Sequence, residues 1–345
     1  MKTILVLVND AGGANLLSSL IYAEKDNYIW KVLAPIDSPA YSIFINNGLK
    51  NCLILCNPRK IVSGYFDQFN YDIVFFNPGW NYFPTKYLNY LNIGKRKTVA
   101  FLDHWIDYRE RFGYPKKGWQ DALPHFIALS DSKAYKMALN LNLPNLVKVQ
   151  NYYLINQLKR FEFLAKQQRK KSHTLLFLSQ IISDSHKRNK NYTYIGCYEK
   201  NVIKEIIENF DSLSNHLGVN NLRIRLHPSN NKFKYSDIYK YSNRLKLEVE
   251  RANDNDLLES ISDAHVIMGM NSMSLFISYV CGKPSISFIP GESIKCTLPL
   301  PQELCVKNIS EIYRISNAVF KPSKTGLNLF LNRNLNCLFR DINVL

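Results

Sequence analysis

Polar residues able to move protons or hold anions stand at the ends of short apolar runs along this 345-residue chain. The first such group, Asp10-Ala-Gly12-Gly13-Ala-Asn15, follows the run 3–8. Its adjacent glycines, lacking Cβ atoms, let backbone amides approach an anion or a sugar hydroxyl at close range. The pattern is neither GxGxxG nor a Walker loop, and a tight strand-to-helix turn with nothing bound explains it equally well. Asp10 at its mouth either accepts a proton from a substrate hydroxyl or caps the following helix.

Three further groups have the same placement. In Arg223-Ile-Arg225-Leu-His227-Pro228-Ser229 an imidazole is delivered where proline stops regular pairing. There it could donate to a phosphate or leaving-group oxygen, or merely bond its own loop. Met270-Asn271-Ser272-Met-Ser274 opens a helix that runs on to Gly282-Lys-Pro. A phosphate at that helix start would meet main-chain amides, the Asn271, Ser272 and Ser274 side chains and the positive end of the dipole. Ordinary capping by Ser272 accounts for the serine as well. Phe101-Leu-Asp103-His104-Trp-Ile-Asp-Tyr-Arg109-Glu-Arg111 sets three carboxylates, an imidazole and two guanidiniums close together. That is a catalytic pocket or a salt-bridged helix start, with Asp103 and His104 the residues expected to face a ligand. Ser179 and Glu292 occupy two more such ends.

The elements that must position these residues are βα units. Apolar, β-rich runs at 3–8, 30–34, 52–56, 73–76, 98–102, 125–129 and 147–150, then at 174–178, 222–226, 245–249, 266–270 and 284–288, alternate with stretches of helical spacing. This predicts parallel sheets, in which ligands bind beyond the carboxyl ends of strands. Residues 154–172 carry apolar positions at helical spacing on a basic background and read as a linker helix. The expected domains are therefore 1–153 and 173–325, with a final helix over 326–345 packing on one or both.

Length favours two cores. With 46% hydrophobic and 21% charged residues the chain has the composition of a globular protein rather than a disordered one. The seven cysteines are odd in number and scattered among apolar runs. Reduced core thiols in a cytoplasmic protein are expected, and no metal site, since no Cys or His cluster has zinc spacing. Residues 3–8 end at Asn9-Asp10, too soon for a signal segment. The net charge of +16 calls for an anionic partner, either a phosphorylated small molecule, nucleic acid or a membrane surface. No recognised nucleic-acid motif surrounds the basic run at 166–171, so nucleic acid is not expected. Peripheral attachment to anionic lipid of the inner membrane is a secondary expectation.

Taken together, the 10–15 loop, Arg225-Leu-His227-Pro228 and the Ser-Asp-Ala-His-Val-Ile-Met-Gly-Met-Asn271-Ser272 stretch with its Gly-Lys-Pro resemble glycosyltransferases of the GT-B fold, particularly those of bacterial capsule, lipopolysaccharide and other surface glycans. The order of elements matches across most of the chain. The resemblance implies an α/β architecture of two Rossmann-like parallel-sheet domains facing a nucleotide-sugar cleft, with a C-terminal helix packing back. It implies an inverting, metal-independent enzyme needing no cofactor, which transfers a sugar from a nucleotide-sugar to a surface-glycan or lipid-linked acceptor. In sialyltransferase-like and Kdo-transferase-like members a His-Pro motif and a serine-bearing helix start contact the nucleotide phosphate. His227-Pro228 and Ser272 look like those positions, which favours a CMP-sugar donor, although Met273 replaces the second serine. The family's N-domain base falls by analogy on Asp10, with Asp103 in reserve, while Glu292 would hold ribose. Wall-teichoic-acid-type glycerophosphotransferases share the Arg-x-His-Pro and serine pattern. UDP-GlcNAc 2-epimerases share the fold, and a non-catalytic sugar-nucleotide binder is the remaining alternative.

Overall fold

The computed structural model describes residues 1–79, 83–92, 96–167, 172–184, 197–230, 233–241, 245–291, 295–316 and 329–343. Glu292 and most of the 166–171 basic run lie outside them. The chain divides into two compact units, Met1–Asn156 with Asn328–Leu345, and Gln157–Leu327. The division falls inside a helix, and the C-terminal segment joins the first unit.

In the first unit the strands are β1 (Thr3–Leu7), β2 (Ile29–Pro35), β3 (Leu53–Cys56), β4 (Ile73–Phe76), β5 (Lys97–Phe101), β6 (Phe126–Leu129) and β7 (Leu146–Lys148). Its helices are α1 (Ala11–Ala23), α2 (Pro39–Asn46), α3 (Leu88–Asn92), α4 (Ser132–Asn140) and α5 (Tyr152–Gln167), the last running on past the division. The sheet order is β3-β2-β1-β4-β5-β6-β7, all parallel. Every residue from Ile4 to Val8 is fully buried, as a central strand covered on both faces must be.

Period-two alternation decides which side chains face which layer. Ile4, Val6 and Val8, Ile73 and Phe75, and Val99 and Phe101 share one core with Leu16, Leu17 and Leu20 of α1 and Phe44 of α2. The C-terminal segment ends that core. Helix Leu335–Asp341, numbered α11 below, inserts Leu335, Leu338 and Phe339 into the same cluster. Asn334 caps it by accepting from the Cys337 amide at 3.1 Å.

The second unit repeats the plan. Strands β8 (Thr174–Leu178), β9 (Asn221–Arg225), β10 (Lys246–Glu250), β11 (Val266–Gly269), β12 (Ser285–Phe288) and β13 (Cys305–Val306) form a parallel sheet in the order β10-β9-β8-β11-β12-β13. Helices α6 (Glu199–Glu208), α7 (Phe210–Leu217), α8 (Leu257–Asp263), α9 (Met273–Val280) and α10 (Ile309–Ile312) accompany it, and α11 then returns to the first unit. The two-residue β13 gave no periodicity to detect in the sequence. In each unit the strand order reverses beside the first strand, between β1 and β4 and between β8 and β11. Those are the places where an open parallel sheet leaves a crevice at its carboxyl edge. Among the described residues, no helix is long and apolar enough to cross a membrane.

Candidate functional site

Each unit gathers polar residues at its switch point. In the first, the loops after β1, β4 and β5 interlock through glycines. A Cβ on Gly12 would stand closer than 3.0 Å to the Asp103 carboxylate, one on Gly13 would meet Asn77, and one on Gly79 would meet the Asp10 carboxylate. The glycine pair is therefore required by side chains packed over the start of α1, a closer reason than a free turn.

Asn77 is buried and donates through Nδ2 to the Phe101 carbonyl at 2.7 Å and to Asp103 Oδ1 at 3.1 Å. Arg111, also buried, donates to the same Asp103 oxygen at 2.8 Å. Burial alone would raise the Asp103 carboxyl. The Arg111 guanidinium, His104 and the Asn77 hydrogen bond more than offset it and hold Asp103 below the usual carboxylate range. A carboxylate so stabilised is a poor proton acceptor and a good anchor.

His104 goes the other way. Burial drives its imidazole down to about 4, against the pull of Asp103 and with Arg111 adding to the fall. It is neutral at physiological pH. Its Nδ1 accepts from the Trp105 amide at 3.1 Å, which places the ring proton on Nε2 as a donor. Asp10 occupies the cap position of α1 but makes no side-chain capping hydrogen bond. Its Oδ1 accepts from Asn9 Nδ2 at 2.6 Å. The buried Asn77 Oδ1, Tyr108 hydroxyl and Ser130 hydroxyl have no hydrogen-bond partner among the described residues.

In the second unit, Ser272 caps α9 by accepting from the Leu275 amide at 3.2 Å. Ser274 follows in the first turn. Asn271 Oδ1 accepts from the Thr297 amide and hydroxyl, each at 3.1 Å, while its own amide donates to Gln180 Oε1 at 2.8 Å. The loop after β8 thereby grips the loop after β11 across the switch point. His227 stands at the end of β9, with Pro228 and Ser229 exposed beside it. Burial and the nearby Lys234 lower the His227 pKa, with Glu199 opposing them. Its Nδ1 accepts from the Ser229 amide at 3.1 Å, so Nε2 is again the donor. Ser179 is buried and shares a 2.6 Å hydrogen bond with the Tyr235 hydroxyl.

Arg225 is placed elsewhere. Its guanidinium is buried, pairs with Glu250, and donates to Ser260 Oγ at 2.9 Å and to the Ala252 and Asn255 carbonyls at 3.1 and 3.0 Å. Its donors tie β9 to β10 and α8. Glu292 lies outside the described residues. Asn77 and Gln180 stand at strand ends in the sequence but were not singled out as site residues, and Asn230 and Lys234 were not selected; Asn77, Gln180 and Lys234 reach the site through contacts distant in sequence, Asn230 through the His227 amide three residues away. Among the described residues no group of three or more His, Cys, Asp or Glu could hold a metal ion.

No protein-family model matches the chain, and no curated protein does. Solved structures do. A UDP co-structure of S. aureus MnaA aligns over 100% of this chain and 98% of its own at 11% identity, with a TM-score of 0.61. UDP-GlcNAc 2-epimerase from Neisseria meningitidis bound to UDP-GlcNAc aligns over 83% of this chain and 82% of its own at 12% identity, TM-score 0.58. Anabaena HepE in complex with UDP aligns over 100% and 97% at 12% identity, TM-score 0.57. Likeness at such low identity is a likeness of fold, and the fold shown is two parallel-sheet α/β domains of the GT-B type.

Proposed function

We propose that the chain is a nucleotide-sugar-dependent glycosyltransferase, with the second unit binding the nucleotide and the first the acceptor. The observation that carries the reading is the switch point of the second unit. A serine-capped helix start and a carboxamide bridge from Gln180 meet at the loop after β11, and a neutral imidazole with its proton on Nε2 stands at the end of β9 in the same sheet. The developing negative charge of a leaving nucleotide phosphate is stabilised by such fixed donors more than the ground state is.

In the first unit, Asp103 is clamped by Arg111 and Asn77 and acts as the anchor of the acceptor pocket. Asp10, at the cap position of α1 and the mouth of the glycine loop, is the proposed base for the acceptor hydroxyl. His104 Nε2 donates to an acceptor oxygen. The donor nucleotide moves from CMP towards UDP, because the structural neighbours named above were solved with UDP or UDP-GlcNAc. The net charge of +16 is in keeping with a phosphorylated donor and an acidic or lipid-linked acceptor, and peripheral attachment to an anionic membrane would follow from the same charge. No cofactor is required.

A second reading, a nucleotide-sugar 2-epimerase, is favoured by the likeness of the fold to the Neisseria meningitidis UDP-GlcNAc 2-epimerase. Incubation of the protein with UDP-sugars and CMP-sugars separates the two. Transfer releases nucleotide only when a glycan or lipid-linked acceptor is added and is lost in Asp10→Asn. Conversion of the donor with no acceptor present shows an epimerase instead, and no stabilisation by any nucleotide in a thermal-shift screen sinks both.

A further inference from the structure

Lys234 lies 11% exposed at the carboxyl edge of the second unit, between two carboxylates of unequal standing. Glu199 is fully buried, accepts from the Ser183 amide at 3.1 Å and hydroxyl at 2.7 Å, and pairs with Lys234. One carboxylate neutralises one ammonium, so that pair is complete in charge. Asp184 supplies a second carboxylate on the solvent side, 34% exposed, 2.9 Å from the same Nζ. Asn230 Nδ2 donates to it at 3.0 Å, while Asn230 Oδ1 accepts from the His227 amide at 3.1 Å. The third proton of Lys234 goes to the Gln180 carbonyl at 3.2 Å, and Gln180 in turn holds the Asn271 amide. Gln180 thus links the ammonium to Asn271, the residue before the Ser272 cap of α9, and the ammonium's field contributes to lowering the His227 pKa.

We propose that Asp184 is a resident competitor for the ligand's phosphate, and that a nucleoside diphosphate binds by taking the place of the Asp184 carboxylate on Lys234. The exchange substitutes one anion for another at a single ammonium, so the Lys234–Glu199 pair stays intact and no buried charge is stranded. Until the exchange occurs, the excess negative charge of Asp184 opposes any phosphate approaching His227 Nε2. Asp184 then sets affinity for the charged part of the ligand, independent of the base. The inference rests on the nucleotide reading of this switch point.

The test is calorimetric titration of the whole chain with UDP, CMP, inorganic pyrophosphate and uridine, for the wild type, Asp184→Asn and Lys234→Met. The carboxamide that Asp184→Asn introduces keeps an acceptor oxygen for Asn230 or Lys234 while losing the charge, and a urea midpoint confirms that the variant folds. Asp184→Asn is expected to bind the phosphorylated probes about 3- to 10-fold more tightly, the effect of deleting one nearby charge in a partly solvated site, and uridine no differently. Lys234→Met is expected to lose most of the affinity for the phosphorylated probes. Wild-type binding of UDP or CMP that Asp184→Asn leaves unchanged or weakens overturns the competitor role and leaves the nucleotide reading standing. Absence of binding to UDP, CMP and pyrophosphate by both wild type and Asp184→Asn overturns the nucleotide reading and this inference with it.

Discussion

Replacing Gly12 by alanine puts a sign, as well as a size, on the packing at the first switch point. Gly12 is in the first turn of α1, and a helical Gly→Ala change ordinarily stabilises by about 1 kcal/mol. Here the new methyl would fall closer than 3.0 Å to Asp103 Oδ2 and 3.1 Å from its Cγ. The carboxylate has little freedom to turn away, because Oδ1 accepts from Arg111 at 2.8 Å and from Asn77 at 3.1 Å. Hydrogen bonds to a charged group contribute about 1.5–3 kcal/mol each. Losing both, less the helical gain, leaves a destabilisation of roughly 2–5 kcal/mol. At about 2–4 °C per kcal/mol for a domain of this size, the melting temperature of the first unit should fall by roughly 4–20 °C. Urea and thermal denaturation of Gly12→Ala read both quantities. A stabilised variant would refute the reasoning, because Asp103 could not then be held against the start of α1.

The other expectations are simpler. His104 is depressed to about 4 from 6.5 in the folded state, so it contributes stability above pH 6.5 that is lost as pH falls from 6.5 to 4. The shift corresponds to about 3 kcal/mol at most. His104→Asn should flatten the denaturation midpoint over that interval, and an unchanged pH profile would count against the buried neutral imidazole. Arg225→Met strands the buried Glu250 and should cost about 3–5 kcal/mol, while nucleotide affinity measured well below the melting point stays the same. A selective loss of affinity would return Arg225 to the binding site. Ser272→Ala removes the cap of α9 and should cost about 1 kcal/mol together with a weaker nucleotide affinity. Loss of stability alone would make the serine structural only.

Much of the fold was legible because its determinants are local. Buried parallel strands such as β1 and β8 are short unbroken apolar runs, and the polar residues ending them mark the carboxyl edge. The site was legible to the extent that it, too, is local: Asp103, His104 and Arg111 lie within one segment, as do Asn271, Ser272 and Ser274. What joins these pieces is not local. Asn77 meets Asp103 across the gap between β4 and β5, and Lys234 reaches Glu199 and Gln180 across 35 and 54 residues. Nothing in the spacing of either residue announces such a partner.

Arg225 shows a partner of another kind. Its proximity to His227-Pro228 suggested a shared site. The strand register pairs Arg223 with Glu248 and Arg225 with Glu250, a charge-matched Arg-x-Arg opposite Glu-x-Glu. That cross-strand match was present in the sequence and would have assigned the residue to the sheet, had β9 and β10 been paired in advance. The C-terminal helix has the same character. Its apolar spacing was readable, but the unit that receives Phe339 is fixed by tertiary packing.

The central claim is that a nucleotide phosphate sits at the start of α9 beside His227. Hydrogen–deuterium exchange with and without saturating UDP tests it at single-segment resolution, since bound phosphate takes the amide protons that water would otherwise exchange. The account predicts slowed exchange at 271–275 and 227–230, with little change in β10 or in the edge strand β3. Unchanged exchange at 271–275 under saturating UDP, or protection confined to the 10–15 loop of the first unit, would contradict it.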